Sequence, residues 1–141
     1  MTHVARFADL DAATLYALMR LRVDIFVVEQ ACPYPELDGR DTEPDTRHLW
    51  RAEGERPTAY LRIVTDPDGT ARIGRVCTAA SARGRGLATR LMADALDQIG
   101  DRPCVLDSQS YLVDFYRGLG FRPDGPEFVE DGIPHVPMRR K

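Results

Sequence analysis

A glycine-rich segment in the second half of the chain has the residue types that bind an anion. Arg83-Gly84-Arg85-Gly86 follows a strand-like run and a stretch of small residues, and it precedes an apolar helical pattern. The first amides of a helix have no partner within it and carry positive partial charge, so a bound phosphate satisfies both. Glycine lets the backbone approach such a ligand closely. The competing interpretation is an ordinary glycine turn with two solvated arginines.

Two familiar nucleotide-binding loops do not fit this segment. A Walker loop ends in Gly-Lys followed by Ser or Thr, and this segment has no such ending. The dinucleotide fingerprint GxGxxG fails because Thr89 stands in place of its third glycine. A phosphate site of another kind is therefore favoured.

Few side chains have the chemistry of a nucleophile or a base. Cys77 and Cys104 lie in apolar strand-like runs, where cysteine is usually a small core residue without an activating neighbour. His48 and His135 belong to the residue type that titrates near neutral pH, but a histidine on a strand is more often structural. An acidic loop at residues 32–45 could attract a cation, although a solvated loop is the commoner explanation. Its acids are Glu36, Asp38, Asp41, Glu43 and Asp45.

Composition restricts the class of protein. The 141 residues suit one domain, 1–141, with a core that needs no metal or disulfide. A net charge of -3 argues against a general nucleic-acid binder, which needs a positive surface. The 3 cysteines have neither metal-ligand spacing nor an even pairing. Because no apolar stretch is long enough to span a bilayer or act as a signal segment, we expect a cytoplasmic protein without membrane contact.

The spacing of apolar residues predicts alternating strands and helices. A first helix is expected from Asp11 to Val27, a second follows the glycine-rich segment, and a third ends at Gly120. Ser108 or Ser110 could cap the third helix. Strands are predicted at Val4–Phe7, His48–Ala52, Thr58–Thr65, Ala71–Thr78 and Cys104–Leu106.

The connections between these elements indicate how the strands pair. Short turns between the second, third and fourth strands predict an antiparallel meander. The tail, from Phe121 to Arg140, predicts two more strands, which its prolines should restrict to edges or bulges. The element order is then β-α-β-β-β-α-β-α-β-β, without an internal repeat.

Several motifs resemble those of one superfamily. Arg83-Gly84-Arg85-Gly86-Leu87-Ala88 is similar to the (Q/R)xxGx(G/A) coenzyme A loop of the GNAT acetyltransferases. Phe115 to Phe121 resembles their FYxxxGF signature, and Phe26 to Gln30 with Asp131 to His135 looks like the ElaA-like branch. The element order resembles the GNAT fold, an α/β (α+β) architecture. This fold is a mixed, centrally antiparallel sheet flanked by helices, with the fourth and fifth strands splayed to hold coenzyme A.

The resemblance implies a binding site for coenzyme A. Backbone amides from Arg83 to Thr89 would bind its pyrophosphate, and the main chain of Val76 to Thr78 would pair with its pantetheine arm. The cofactor-binding residues are then Val76, Cys77, Thr78, Arg83, Gly84, Arg85, Gly86, Leu87, Ala88 and Thr89.

The resemblance also implies candidate catalytic residues. Tyr116 matches the position of the family's general acid, which protonates the coenzyme A sulfur; otherwise it is a core tyrosine. The fourth strand has Arg75 and no carboxylate, so the glutamate of some members is missing. Glu29 is the first substitute, as a base acting through water or as a site for the acceptor's ammonium group; otherwise it is an exposed helix-end acid. Asp107 and Gln109 would face the same cleft and orient the acceptor or pantetheine, although Asp107 suits a helix cap at least as well.

The activity implied is transfer of an acetyl group from acetyl-CoA to an amine, directly in a ternary complex. A monomer or a homodimer would do this without a metal. Small amines and peptide amines both remain open as acceptors. Two alternatives are an acyl-homoserine-lactone synthase-like acyltransferase and a coenzyme A-binding sensor module without turnover.

Overall fold

The computed structural model describes residues 1–140. One sheet of eight strands has the order β1-β2-β3-β4-β5-β8-β6, and β7 also pairs with β8. The strands are β1 His3–Ala5, β2 Arg47–Glu53, β3 Arg56–Thr65, β4 Ala71–Thr78, β5 Cys104–Gln109, β6 Arg122–Pro123, β7 Phe128–Glu130 and β8 Ile133–Arg140. The α-helices are α1 Ala12–Val23, α2 Leu87–Ile99 and α3 Val113–Arg117.

The sheet is mixed, and the predicted fold class is confirmed. β1 to β4 form an antiparallel meander, whereas β4 and β5 are parallel and are connected through α2. β4 and β5 pair only where they begin, Ala71 with Cys104 and Arg72 with Val105. Beyond these pairs the two strands separate, so a gap opens towards their carboxyl ends.

A bulge in β4 lies beside this gap. The register between β3 and β4 shifts between Tyr60 and Arg62, which gives β4 an extra residue. Within that stretch Arg75 has a φ of 55°, a left-handed conformation that costs a residue with a side chain about 1–2 kcal/mol. Arg75 Nε donates to Glu36 Oε2 at 3.0 Å, and this ion pair fixes the side chain of the strained residue. A bulge bends its strand, and this one lies in the part of β4 that no longer pairs with β5.

Each face of the sheet packs against one long helix. α2 buries Leu91, Ala95 and Ile99 in the larger core, as the helical spacing predicted. α1 packs Leu18 and Leu21 against the opposite face. The gap between β4 and β5 therefore lies between two packed layers.

The first helix begins as predicted but ends differently. Asp11 caps it by accepting a hydrogen bond from the Thr14 amide at 2.7 Å. The α-helix ends at Val23 rather than Val27, and the chain continues as a π-helical segment over Asp24–Glu29. A π-helical turn widens the backbone and changes the direction of the side chains that follow it, and such turns are frequent at functional sites.

The carboxyl-terminal tail forms three strands rather than two. Pro123 lies on β6 at the edge of the sheet, as predicted, but Pro134 and Pro137 lie on β8, which is not at an edge. β8 lies inside the sheet, between β5 and the short strands β6 and β7. The Pro137 carbonyl accepts a hydrogen bond from Asp124 N at 2.7 Å, on the side of β8 that faces β6 and β7. Because the nitrogen and the carbonyl of a strand residue point to the same side, the Pro137 nitrogen faces that side too. At Pro137 neither β6 nor β7 pairs with β8, so no strand needs a hydrogen bond from an N–H at this position, and proline is tolerated.

The expected serine cap of the third helix is absent from the described residues. Ser110 Oγ donates to Glu127 Oε2 at 2.7 Å, and Ser108 Oγ donates to the Gln109 carbonyl at 2.8 Å. A 3-10 turn over Ser110–Leu112 leads directly into α3 instead. Because this turn already uses the amide that a cap would bind, a side-chain acceptor is not needed.

Within residues 1–140, no helix has the length and apolar character that crossing a bilayer requires.

Candidate active site

A cleft of about 580 Å³ occupies the gap between β4 and β5. Tyr116 lines it from the side of α2, and Phe26 lines it from the side of α1. The cleft therefore reaches both faces of the sheet. Its volume is that of a small-molecule site, and it is the candidate active site.

The predicted cofactor-binding residues divide between this cleft and its mouth. Those that line the cleft are Val76, Cys77, Thr78, Arg83 and Ala88. The others belong to the turn before α2 or to its first helical turn and lie outside the lining; they are Gly84, Arg85, Gly86, Leu87 and Thr89. The edge of β4 and the start of α2 are therefore consecutive parts of one surface.

The beginning of α2 presents free backbone donors. Gly84 and Gly86 have φ values of 82° and 72°, which glycine adopts without strain. No side chain caps the helix, and its first backbone hydrogen bond runs from Arg90 N to Gly86 O at 3.2 Å. The amides of residues 87–89 therefore have no partner within the helix. Donors of this kind fit a pyrophosphate.

The two arginines of the glycine-rich segment form ion pairs with acids. Arg83 Nη2 donates to Glu29 Oε1 at 2.7 Å, and Arg83 Nε donates to the Thr78 carbonyl at 3.3 Å. Arg85 pairs with Glu53. Both ion pairs are about half exposed, so each contributes little to stability and can exchange partners.

Tyr116 combines burial with a position in the cleft wall. Its side chain is 6% exposed, and its ring meets those of Phe115 and Phe121 edge-on with centroids 5.0 and 6.2 Å apart. Burial raises the pKa of Tyr116 to about 12. The hydroxyl therefore keeps its proton at neutral pH and is available as a donor in the cleft.

Glu29 ends the π-helical segment at the rim of the cleft. The hydrogen bond from Arg83 lowers the pKa of its carboxyl group. Glu29 is thus ionised at neutral pH, which suits it to bind a cation and weakens it as a base.

Asp107 and Gln109 both line the cleft, and both project from the same face of β5 because side chains alternate along a strand. Asp107 Oδ2 accepts from Arg72 Nη1 at 3.4 Å, across the opening between β5 and β4. The side chain of Asp107 is therefore directed at the cleft and not at the start of the next helix.

The two strand cysteines are weak nucleophiles at neutral pH. Burial raises the pKa of Cys77 to about 12 and that of Cys104 to about 11. Cys77 lines the cleft but is only 6% exposed and packs with the core around α1. Both thiols behave as the small core groups that the sequence predicted.

Three acids of the acidic loop form ion pairs with arginines, and two of them, Glu36 and Asp41, are buried. The fully buried Arg22 donates to Glu36 Oε2 and to Asp41 Oδ1, both at 2.7 Å. Arg62 donates to Asp38 Oδ2 at 2.6 Å and to Asp41 Oδ1 at 3.1 Å. These ion pairs fix the loop to the sheet beside the cleft. The solvated loop that the sequence favoured is wrong for the buried Glu36 and Asp41, whereas Asp38 is exposed.

Sequence reasoning missed this network, although one signal was present. Arg22 lies at helical spacing among the apolar residues of α1, between Leu18 and Ile25. A cation within an apolar stripe requires a buried anionic partner, since burying an unpaired charge is very unfavourable.

His48 has the structural role that the sequence favoured. Its ring is fully buried, with Nε2 donating to the Asp41 carbonyl at 3.0 Å and Nδ1 accepting from the Tyr60 hydroxyl at 2.6 Å. Burial lowers the pKa of His48, so the ring is neutral at pH 7. It supports the acidic loop and does not line the cleft.

Comparison with known proteins gives a consistent set of relatives. A model of the acetyltransferase (GNAT) domain matches residues 23–141. A UPF0039 protein of Mycobacterium tuberculosis is 54% identical over 137 residues, which cover 94% of this chain and 87% of that protein. Protein ElaA of Escherichia coli is 38% identical over 140 residues, which cover 95% and 92%.

Solved structures agree with this result. The crystal structure of an acyl-CoA N-acyltransferase from Pseudomonas aeruginosa matches with a TM-score of 0.95 at 41% identity, covering 100% of this chain and 99% of that one. Escherichia coli ElaA matches with a TM-score of 0.94 at 35% identity, with the same coverage. A CoA-dependent acyl-homoserine lactone synthase shares the fold, with a TM-score of 0.82 at 20% identity over 99% of this chain and 82% of that one.

Proposed function

Because the chain belongs to the GNAT acetyltransferase family, in its ElaA-like branch, we propose that it transfers an acetyl group from acetyl-CoA to an amine acceptor. The observation that carries this proposal is the gap between β4 and β5, which ends at the uncapped start of α2. We further propose that residues 1–141 act as one cytoplasmic domain, as a monomer or a homodimer, without a metal.

The residues around the gap fit coenzyme A. The backbone amides of residues 83–89 bind the pyrophosphate, and the main chain of Val76 to Thr78 pairs with pantetheine where β5 leaves β4 without a partner. Arg83 and Arg85 can release their exposed acid partners to a phosphate. Acetyl-CoA supplies the acetyl thioester when it is bound there.

Tyr116 serves as the general acid. It lines the cleft with a hydroxyl that burial keeps protonated, so it can donate a proton to the leaving sulfur. A donor held inside a buried site also stabilises developing negative charge without reorganising at the moment of reaction.

Glu29, Asp107 and Gln109 bind the acceptor. Glu29 is an ionised carboxylate at the rim, suited to an ammonium group or to relaying its proton through water. Asp107 and Gln109 add an anion and an amide on β5. Because the cleft reaches both faces of the sheet, donor and acceptor can meet inside it, which favours direct transfer in a ternary complex.

The proposed activity is tested by incubating the purified protein with acetyl-CoA and a panel of amines, and by measuring the release of free thiol. The panel contains linear diamines, amino acids, aminoglycosides and peptides. We expect thiol release with at least one class of amine and binding of CoA in calorimetry. Protein that does not bind CoA would contradict the proposal.

An acyl-homoserine-lactone synthase-like activity is the second candidate, because a CoA-dependent synthase shares the fold. Incubation with long-chain acyl carrier protein or acyl-CoA and S-adenosylmethionine separates the two, since lactone formation favours this candidate. A sensor module is favoured if CoA binds but no amine releases thiol, and if Tyr116→Phe leaves this result unchanged.

A further inference from the structure

His135 lies where the acceptor side of the cleft meets the end of β5. It is a half-buried residue of β8 and pairs directly with Gln109. Directly paired residues of adjacent strands project from the same face, so His135 shares the face of Gln109 and Asp107. All three line the cleft, together with Tyr116.

The surroundings of His135 fix both its tautomer and its orientation. Nδ1 lies 2.8 Å from the Ile133 carbonyl oxygen, and because a carbonyl only accepts, Nδ1 carries the proton. Nε2 is then the nitrogen with the free lone pair. The ring also stacks on Phe128, with centroids 5.6 Å apart and an interplanar angle of 21°. These two contacts hold the imidazole ring in place with Nε2 as its proton-accepting atom.

Neither β4 nor Glu29 supplies a good proton acceptor. An alkyl amine with a pKa of about 10.4 is an ammonium ion at neutral pH and must lose a proton before it can attack. On β4 the cleft has Arg75 and no carboxylate. Arg83 weakens Glu29 as a base by lowering its pKa. The Nε2 lone pair of His135 supplies the acceptor that these groups do not.

We infer that Nε2 of His135 is the general base that removes a proton from the acceptor's ammonium group. This inference rests on the proposed acetyl transfer. His135 takes one proton and passes it to water. The amine nitrogen then bonds to the acetyl carbon as the carbon–sulfur bond breaks. The nitrogen loses its second proton, and the sulfur gains one through Tyr116. The overall products are the amide, the CoA thiol and one proton, which balances the ammonium ion and the thioester consumed.

The charges around His135 suit this role. Glu130 and Asp131 come from the β7–β8 hairpin and Asp107 from β5, while Arg72 and Arg75 come from β4. The three acids attract an ammonium ion to the imidazole and stabilise the imidazolium that forms. The two arginines already bond to acids, Arg72 to Asp107 and Arg75 to Glu36.

The test compares two substitutions of His135 with wild-type protein, using an amine that the panel identifies. His135→Asn keeps a donor near the position of Nδ1 and removes Nε2, whereas His135→Gln keeps a polar group near Nε2 that cannot accept a proton. We expect kcat/KM for the amine to fall at pH 7 by on the order of 10²-fold in both. The KM for acetyl-CoA should stay unchanged. His3→Asn is the matched control, because His3 is also a strand histidine stacked on an aromatic ring, Trp50, at 5.2 Å.

The pH dependence distinguishes a base from a structural residue. As pH rises towards 9, more of the amine is already neutral, so the deficit of both variants should shrink to below about tenfold. A deficit that is the same at every pH, or variants within about threefold of wild type at pH 7, would overturn the inference while leaving acetyl transfer intact. Wild-type protein that binds CoA but acetylates no amine would overturn both.

A measurement independent of turnover checks the tautomer. In long-range ¹H–¹⁵N NMR spectra near pH 8, we expect the histidine signals that disappear in His135→Asn to have the Nδ1–H pattern. An Nε2–H pattern at this residue would overturn the inference even if the variants lose activity. Thermal melting of each variant shows that it is folded.

Discussion

Burial raises the pKa of two residues in the cleft, Tyr116 and Cys77, with opposite consequences for their catalytic roles. The pKa of Tyr116 and that of Cys77 are both raised to about 12, and burial is the main cause for each. A phenol with a raised pKa is protonated at neutral pH but is a weaker acid, so it serves as a hydrogen-bond donor that releases its proton only as charge develops on the sulfur. A thiol that keeps its proton, in contrast, is a poor nucleophile. The same desolvation therefore leaves Tyr116 as a protonated donor and disfavours a covalent intermediate on Cys77.

Tyr116→Phe removes the proposed acid without changing the volume of the core. We expect kcat to fall by about 10²-fold, while the KM for acetyl-CoA changes little. Because the pKa of Tyr116 is about 12, the wild-type rate should show no loss from ionisation of this residue up to pH 9. Steady-state kinetics from pH 6 to 9 measure both effects. Tyr16→Phe, at an exposed tyrosine of α1, is the matched control.

Glu29→Gln removes the proposed charge for the acceptor. We expect the KM for a cationic amine to rise roughly tenfold, because a charged hydrogen bond is lost, with a smaller change in kcat. Glu53→Gln breaks the corresponding ion pair of Arg85 outside the cleft and serves as the control. Equal effects of the two substitutions on the amine KM would contradict a role for Glu29 in acceptor binding.

At the scale of elements, two irregular backbone segments form the walls of the cleft. The bulge at Arg75 lies where β4 no longer pairs with β5, and the π-helical segment Asp24–Glu29 ends at the rim. Neither is visible in the sequence pattern. Apolar periodicity locates the regular part of an element, but a bulge or a π-helical turn depends on distant partners, such as Glu36 for Arg75.

The regular elements were predictable for the same reason. β4 has the predicted bounds, and α2 follows the glycine-rich segment as expected, because both have uninterrupted apolar patterns. The strands of the tail were not predictable in this way, because proline on a strand usually indicates an edge, whereas Pro137 faces the break between β6 and β7. His135 lies on this same strand, where the sequence favoured only a structural role.

The turn into α2 gives a prediction at this scale. Gly84→Ala and Gly86→Ala each place a side chain on a backbone with positive φ, which should lower the free energy of unfolding by about 1–2 kcal/mol. Each should also raise the Kd for CoA by at least about tenfold, or about 1.4 kcal/mol, by shifting the donors at the helix start. Gly69→Ala has a similar φ of 87° in the β3–β4 turn, so it should lose stability without losing CoA affinity. Urea unfolding and calorimetry measure the two quantities.

At the scale of the whole molecule, a buried ionic network connects α1, the acidic loop and the sheet. Arg22, Asp41 and His48 are its centre. Burial alone would raise the pKa of Asp41, but Arg22 and Arg62 outweigh it and lower the pKa. Burial lowers the pKa of His48 from 6.5. The folded state therefore holds fewer protons than the unfolded chain at acid pH.

This network predicts loss of stability in two stages as pH falls. The contribution of His48 is complete above pH 6.5 and is lost below it, by up to about 1.4 kcal/mol per pH unit, because only the unfolded chain takes up the proton. The contribution of Asp41 is complete above pH 3.8 and is lost as pH falls through its lower folded-state pKa. Urea unfolding from pH 4 to 8 measures the first stage. His48→Gln should flatten it, and an unchanged slope in that variant would contradict the assignment.

The opening between β4 and β5 has a consequence for the lifetime of the protein. Sheets usually leave unpaired backbone at their borders, but here it lies in the interior, where only the first residues of the two strands pair. If the pantetheine arm of CoA pairs with this unpaired backbone, CoA present at a hundred times its Kd raises the free energy of unfolding by about 2.7 kcal/mol. Resistance to proteolysis would then follow the supply of CoA, and the protein would be degraded fastest when its own donor is scarce.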